Sequence, residues 1–291
     1  MELPTHFLTF LSNIEPTNDQ KNEISTAYTA LRLRLQECEY AAYFQGSFLS
    51  GSYGRGTAIR QTKTVDVIVV ARYNRSFWEP HLALSQLKRH LSNHYSTATV
   101  QNGSIRIPLS LVELNITPAI TEERKFLKIS NRDGHNWVYS NAHRHVQLSD
   151  AMDASKKGLY KPLVKALKCW RDHTMADAWK PNSFLLECLV YEFAANSALV
   201  SVPKAVEGFL WYTHNKYQRF RQSRESSPFI REIGAPDVNV AKNWTHADFC
   251  CFMDQVHHSW ILSHQAVDAP SKIVSVDRWH QLFGDVFPAD E

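Results

Sequence analysis

A glycine-rich turn runs directly into an apolar strand between residues 44 and 70, with the sequence FQGSFLSGSYGRGTAIRQTKTVDVIVV. The strand carries one acid, Asp66, among β-branched residues. Side chains alternate along a strand, so Asp66 shares its face with Thr64 and Ile68. Burying an unpartnered carboxylate in an apolar run costs free energy. We therefore expect Asp66 to lie at the wall of a cleft or beside a polar partner.

The rest of the chain changes from strand-rich to helical near residues 145–155. Helical spacing marks residues 18–37 and 80–95, and residues 105–120 predict two short strands that meet at a turn. Beyond Ser149 the pattern is helical, with little strand signal. We therefore predict an α/β (α+β) lobe over residues 1–150 with a twisted mixed sheet, a helical lobe over residues 151–291, and a ligand cleft between them.

The bulk composition favours an ordinary soluble domain and excludes several classes. The 291 residues are 44% hydrophobic with a net charge of +3, which argues against a large nucleic-acid footprint. No apolar run approaches the ~18 residues of a membrane helix. The five cysteines form no CxxC pair. Free thiols in the cytoplasm are the expectation that follows.

The turn has the residues that a phosphate-binding loop needs. Gly51 and Ser52 can offer backbone N–H groups and a hydroxyl to a triphosphate. Arg55 follows closely and is a candidate phosphate contact. Tight glycine-rich turns are common, so the turn alone is weak support. With the strand that follows it, the pattern predicts a nucleotide-binding site.

The acids of the predicted site are incomplete for nucleotidyl transfer. That reaction uses two Mg²⁺ ions, and hard oxygen ligands such as paired carboxylates hold them. Two acids at i and i+2 of one strand and a third on a neighbouring strand would form the cage. Asp66 is present, but Thr64 and Asn115 occupy the other two positions. Glu113 is a possible substitute on the face of Asn115. Because two of the three acids are missing, we expect Mg²⁺ binding to be weak or absent.

A basic helix in the second lobe offers a further candidate contact. Lys165, Lys168 and Arg171 are spaced at i, i+3 and i+6, which places them on one helical face. Such a face is either solvated or directed at phosphates. Both interpretations stay open from the sequence, and Lys165 and Lys168 are predicted nucleotide contacts under the second.

At these residues the chain resembles the bacterial cGAS/DncV-like nucleotidyltransferases (CD-NTases), within the polymerase-β-type superfamily. The resemblance covers roughly residues 7–288. It rests on the turn and strand above and on five later segments: LNITPA, HNWVYSNAHRH, LVKALKCWRDH, SFLLECLVYEF and RWHQLFGDVFP. Members of that family make cyclic oligonucleotide signals in anti-phage defence. The resemblance implies a polymerase-β-like core, a nucleotide ligand, and acids where Thr64 and Asn115 stand.

The departures leave three hypotheses. The first is a nucleotide-binding, catalytically impaired pseudoenzyme that acts as a sensor or regulatory member of a CBASS-like system, with a defence effector or regulatory protein as partner. The second is an active cyclic-oligonucleotide synthase, if Thr64 and Asn115 are engineered or compensated. The third is a nucleic-acid-binding protein. The loss of two acids together favours a natural origin and the first hypothesis.

Overall fold

The strand that carries Asp66 is paired on both sides in the computed structural model, which describes residues 1–37, 39–72, 79–122, 126–222 and 228–289. The seven strands are β1 (Phe44–Leu49), β2 (Thr64–Arg72), β3 (Thr99–Gln101), β4 (Ser104–Pro108), β5 (Glu113–Glu122), β6 (Phe126–Ser130) and β7 (Trp137–Tyr139). Their order is β1-β2-β5-β4-β3, and β6 joins β5 to β7. β2 and β5 are parallel and the other pairs are antiparallel. The predicted mixed sheet is confirmed.

One face of this sheet is apolar and covered by helices. Val65 and Val67 of β2 and Leu114 and Ile116 of β5 are fully buried. They form one cluster with apolar residues of α2 (Asn18–Glu37) and α4 (Pro80–Ser92). Burial of such side chains contributes roughly 1.5–3 kcal/mol each, so this face sets the register of β2 against β5.

The opposite face is only partly apolar, and this is the face of Asp66. Ile68, Val70 and Ala119 form a small buried cluster towards one end of the strands. At the other end, residues 64 and 66 of β2 are half-buried, as are residues 113, 115 and 117 of β5. The alternation expected of Asp66 and Asn115 is therefore observed on both strands.

The helices of the remaining chain form a second unit, to which the helix at Ala142–Ser155 belongs only from Gln147 onward. They are α1 (Pro4–Ile14), α5 (Ala142–Ser155), α6 (Tyr160–Thr174), α7 (Ser183–Asn196), α8 (Val202–Gln222), α9 (His246–Val267) and α10 (Lys272–Phe283). A short helix α3 (Gly51–Gly54) lies in the turn after β1. None of the helices in the described ranges is long and apolar enough to cross a membrane.

The two units are Pro16–Val146, and Met1–Glu15 together with Gln147–Glu291. This division differs from the predicted 1–150 and 151–291 chiefly at the N-terminus. The physical reason is aromatic packing: the Phe10 ring lies 4.3 Å from Phe283 and 5.6 Å from Phe287, between ring centroids. Phe7 packs edge-on against Trp279 at 5.0 Å. Helix α1 therefore belongs to the helical unit.

Candidate functional site

The glycine turn is attached to β2 at Asp66. The Ser50 N–H donates to the Asp66 carbonyl at 2.8 Å. Gly51 has φ +58°, and a Cβ built on it would lie 2.0 Å from Asp66 Oδ2. Only glycine fits both the left-handed backbone and the close approach of this carboxylate. The turn and the acid are thus one local structure.

Ser52 and Arg55 complete the turn. The Ser52 carbonyl accepts hydrogen bonds from the Thr57 N–H at 2.8 Å and from the Thr57 hydroxyl at 3.5 Å. The Arg55 N–H donates to the Gly51 carbonyl at 3.1 Å. The Arg55 side chain is buried, whereas Ser52 is half-buried. A phosphate contact of Gly51, Ser52 or Arg55 stays a prediction.

The parallel register of β2 and β5 places the predicted acid positions opposite one another. Asp66 is the partner of Asn115, and Thr64 is the partner of Glu113. The Asn115 amide nitrogen donates to Asp66 Oδ1 at 2.9 Å. An ionised carboxylate can only accept, so the amide N–H must face it. The Asn115 amide and the Asp66 carboxylate are therefore hydrogen-bonded to each other across the two strands.

Arg106 joins this face from β4 and was missed by the sequence reasoning. It lies opposite Asn115 in the antiparallel register of β4 and β5. Its Nη1 donates to Glu113 Oε1 at 3.1 Å, with both side chains about one-third exposed (33% and 28%). Its Nε is buried and makes no hydrogen bond within the described residues. Alternation along IRIPLS, once paired with β5, would have placed Arg106 on this face.

The donor set does not fit a two-ion magnesium cage. Asp66 is bonded to an amide, and Glu113 is neutralised by Arg106. Nowhere in the described ranges do three or more His, Cys, Asp or Glu side chains group as metal ligands. Two divalent ions bring four positive charges, and a single uncompensated carboxylate offsets one of them. The face can instead offer an arginine and hydrogen-bond donors to an anionic ligand.

The predicted basic face of α6 is committed to contacts within the helical unit. Lys168 is 1% exposed, and its Nζ lies 2.7 Å from Glu187 Oε1 on α7. Lys165 pairs with Glu15 at the end of α1. Arg171 donates to the Pro181 carbonyl at 3.2 Å and to the Ser183 hydroxyl at 3.1 Å. The structure assigns these cations a structural role, and their contact with a nucleotide stays a prediction.

The helical unit also contains a cavity that no predicted site residue lines. Its volume is about 700 Å³, and its walls come from α7, α8 and residues 228–236. The Glu192 side chain on its wall accepts from the Tyr217 hydroxyl at 2.5 Å and pairs with Lys216. These three polar groups of the wall are therefore engaged with one another.

Comparisons with known proteins identify relatives that match nearly the whole chain. Residues 1–152 match the model of the Second Messenger Oligonucleotide or Dinucleotide Synthetase domain. The chain is 27% identical to a cyclic AMP-AMP-AMP synthase from an Acinetobacter species, over 99% of this chain and 86% of the relative. It is 25% identical to a probable cyclic AMP-AMP-GMP nucleotide synthase from Salmonella paratyphi B, over 99% and 92% of the two chains.

Solved structures show the same fold at lower identity. The CdnC protein of E. coli MS115-1 with ATP superposes with a TM-score of 0.79 at 16% identity, over 99% of both chains. The CdnC:HORMA-deltaN complex gives 0.81 at 16% identity, over 98% of both chains. Vibrio cholerae DncV gives 0.73 at 13% identity, over 95% of this chain and 92% of that one. The chain therefore belongs to the second-messenger synthetase family of bacterial cGAS/DncV-like nucleotidyltransferases (CD-NTases).

Proposed function

We propose that this protein is a catalytically impaired CD-NTase that binds a nucleotide at the turn and strand face of its sheet unit. The observation that carries the proposal is the hydrogen bond from Asn115 to Asp66 at 2.9 Å. A carboxylate at position 115 would face Asp66 across the same distance, and the repulsion between them would be relieved by a bound cation. The Asn115 amide gives Asp66 a hydrogen-bond partner without any bound cation.

The ligand class follows from the relatives. The synthases that this chain matches have names that specify adenine and guanine nucleotides as building blocks. The CdnC structure was solved with ATP, and its fold covers nearly the whole of this chain. We infer that ATP or GTP is the class of ligand, held by Gly51, Ser52 and Arg55. The turn geometry supports this because Gly51 lets the turn backbone lie directly against the Asp66 carboxylate, so the turn and the proposed ligand-binding face are adjacent.

We also propose a regulatory partner in a defence system. CdnC, which has the same fold, assembles with a HORMA protein. A chain that binds nucleotide without joining it would act through such a contact, as a sensor or regulatory member. The anti-phage setting is an inference from family resemblance.

An active synthase is the second candidate function. The observation in its favour is that two relatives matched over 99% of this chain are named synthases. It requires Glu113 to leave Arg106 and serve as a metal ligand beside Asp66. A Glu113→Gln variant tests this candidate, because it would abolish synthesis in an active enzyme, whereas an impaired chain makes no oligonucleotide before or after the change.

The test of catalysis compares two forms of the chain. We expect the protein, incubated with all four NTPs and Mg²⁺ or Mn²⁺, to give no oligonucleotide on anion-exchange chromatography. The Thr64→Asp/Asn115→Asp variant should gain synthesis, because each missing stabilising group typically costs ~10²-fold or more in rate.

A control variant, Thr99→Asp/Asn136→Asp, adds the same charge at two exposed positions of the sheet unit. It should stay inactive. Brisk turnover by the unaltered chain would overturn the proposal of impaired catalysis.

A further inference from the structure

Positive charge occupies the place beside β5 where a catalytic member of this fold would need more negative charge. Arg106 extends from β4 to Glu113, with Nη1 and Oε1 3.1 Å apart. Asn115, its register partner, carries no charge. The positive charge on this face therefore comes from the Arg106 side chain, where a catalytic member would use a bound metal ion.

The guanidinium of Arg106 has N–H donors that its contact with Glu113 does not use. A guanidinium carries five N–H donors in a planar fork, and the contact with Glu113 engages Nη1. The Nε is buried and has no hydrogen-bond partner among the residues that the structure describes. The Nε itself is enclosed, so the donors that can meet a ligand are the remaining N–H groups on the exposed third of this side chain.

We propose that this site binds the phosphates of a nucleotide without a divalent cation, and that Arg106 is the cation that contacts them. The inference rests on the proposed nucleotide-binding function. Arginine suits this role because its fork can hold two oxygens of one phosphate while remaining charged at any pH that the protein tolerates. Glu113 holds the fork in place through one Nη1 hydrogen bond and leaves the remaining Nη donors for the ligand.

The neighbouring charges set the character of this binding. Asp66 and Glu113 both repel a phosphate, but Asp66 is hydrogen-bonded to Asn115 and Glu113 is paired with Arg106. Binding should therefore be weaker than in a site with a full metal cage. It should also weaken as salt is added, because both groups of the ion pair are partly exposed.

The test is calorimetric titration of the full chain with ATP and with GTP, each in EDTA and in MgCl₂. We expect the dissociation constant to agree within about threefold between the two conditions. An Arg106→Met/Glu113→Met variant removes the ion pair without leaving an unpaired charge. It should weaken binding about tenfold or more in both conditions, since a hydrogen bond to a charged group is worth about one such factor.

Controls separate this effect from unfolding and from general charge. Arg89→Met removes an exposed arginine on α4, which covers the opposite face of the sheet, and should leave affinity unchanged. Thermal unfolding of each variant shows whether it is folded. Arg106→Lys keeps the charge but lacks the fork and should bind with intermediate affinity.

The outcomes distinguish the inference from the function on which it rests. Binding that requires Mg²⁺ would overturn metal-free recognition and leave the nucleotide-binding function standing. Metal-free binding that is unchanged in the folded Arg106→Met/Glu113→Met variant would overturn the role of Arg106. No binding of either nucleotide in any condition would overturn both.

A direct measurement of metal binding gives an independent readout. Titration with Mn²⁺, followed by electron paramagnetic resonance, should show no bound ion in the unaltered chain. The Thr64→Asp/Asn115→Asp variant should bind Mn²⁺, because two further carboxylates face Asp66 and Arg106. Stoichiometric Mn²⁺ in the unaltered chain would contradict the inference.

Discussion

Asn115 and Asp66 show how one nitrogen atom changes the chemistry of a site. Two carboxylates at this separation would demand a cation, whereas an amide and a carboxylate satisfy each other. The same reasoning applies to Glu113, which finds its counter-charge in Arg106. At the scale of residues, both carboxylates of this face are paired within the protein, and Arg106 keeps further N–H donors.

Gly51 carries a prediction at this scale. Gly51→Ala should destabilise the chain by more than ~1 kcal/mol, because the new Cβ meets Asp66 Oδ2 at 2.0 Å and the backbone has φ +58°. Gly134→Ala is the matched control, with φ +77° and nothing within 4 Å of its Cβ. It adds the backbone strain alone. Urea unfolding of both variants measures the difference, and equal losses would mean that the carboxylate yields without cost.

Helix α6 is held to α7 by a buried ion pair between Lys168 and Glu187. Both side chains are essentially inaccessible, at 2% and 0% exposure. Removing one partner leaves an uncompensated buried charge, whereas replacing both by apolar residues often costs little. The sequence offered a solvated or a phosphate-binding face for Lys168, and the structure instead buries this side chain against Glu187.

We expect Lys168→Met to lower the free energy of unfolding by about 3–5 kcal/mol. Lys168→Met/Glu187→Leu should recover most of that loss. Lys204→Met breaks an exposed pair with Glu2, at 49% and 42% exposure, and should cost under ~1 kcal/mol. Denaturant titration of the four proteins checks this. If the single variant were as stable as the unaltered chain, the buried pair would carry no structural role.

Helices α8 and α9 bring two histidines together. The rings of His214 and His257 lie 4.6 Å apart between centroids. Burial lowers the pKa of His214 below its ordinary value of 6.5, and the charges of His257 and Arg221 lower it further. His264 on α9 behaves oppositely, because its hydrogen bond to Glu207 raises its pKa.

These shifts predict how stability depends on pH. Since the fold disfavours protonated His214, the unfolded chain takes up more protons as the pH falls below about 6.5, and stability is lost there. The stabilisation from His264 is present below that pH and is lost as the pH rises through its raised pKa. Urea unfolding at pH 7 and pH 5.5 should show that His214→Gln reduces the acid-side loss. His258→Gln, at an exposed position, is the control and should keep the full loss.

At the scale of the whole molecule, the chain ends are joined within one unit. Helix α1 packs on α10 and the following residues through Phe7 and Phe10, so the first 15 residues are part of the helical unit. Phe10 is completely buried. The sheet unit begins only at Pro16.

We expect Phe10→Ala to destabilise the helical unit by about 3–5 kcal/mol, as for other buried phenylalanines. Hydrogen exchange followed by mass spectrometry should show that Phe10→Ala accelerates amide exchange more in α6 and α10 than in β2 and β5, relative to the unaltered chain. Leu8→Ala, at a position that is 71% exposed, should change neither the stability of the unit nor its amide exchange rates. Faster exchange confined to the strands would contradict the assignment of α1.

Local patterns alone were enough to predict the main elements. The helix predicted at residues 18–37 is α2, and the two strands predicted within residues 105–120 are β4 and β5. Periodicity is a property of neighbouring residues, so it survives without knowledge of the fold. The same alternation placed Thr64 with Asp66 on one face, and Glu113 with Asn115 on one face.

What pairs with what was decided only by the tertiary structure. The register of β2 on β5 brings Asn115 to Asp66, although 49 residues separate them in the chain. Arg106 reaches Glu113 only because β4 lies beside β5. Likewise, Lys168 is internal because α7 presents Glu187 to it. Sequence spacing specifies the face of an element on which a side chain lies, but packing between distant elements determines which charges are neutralised there.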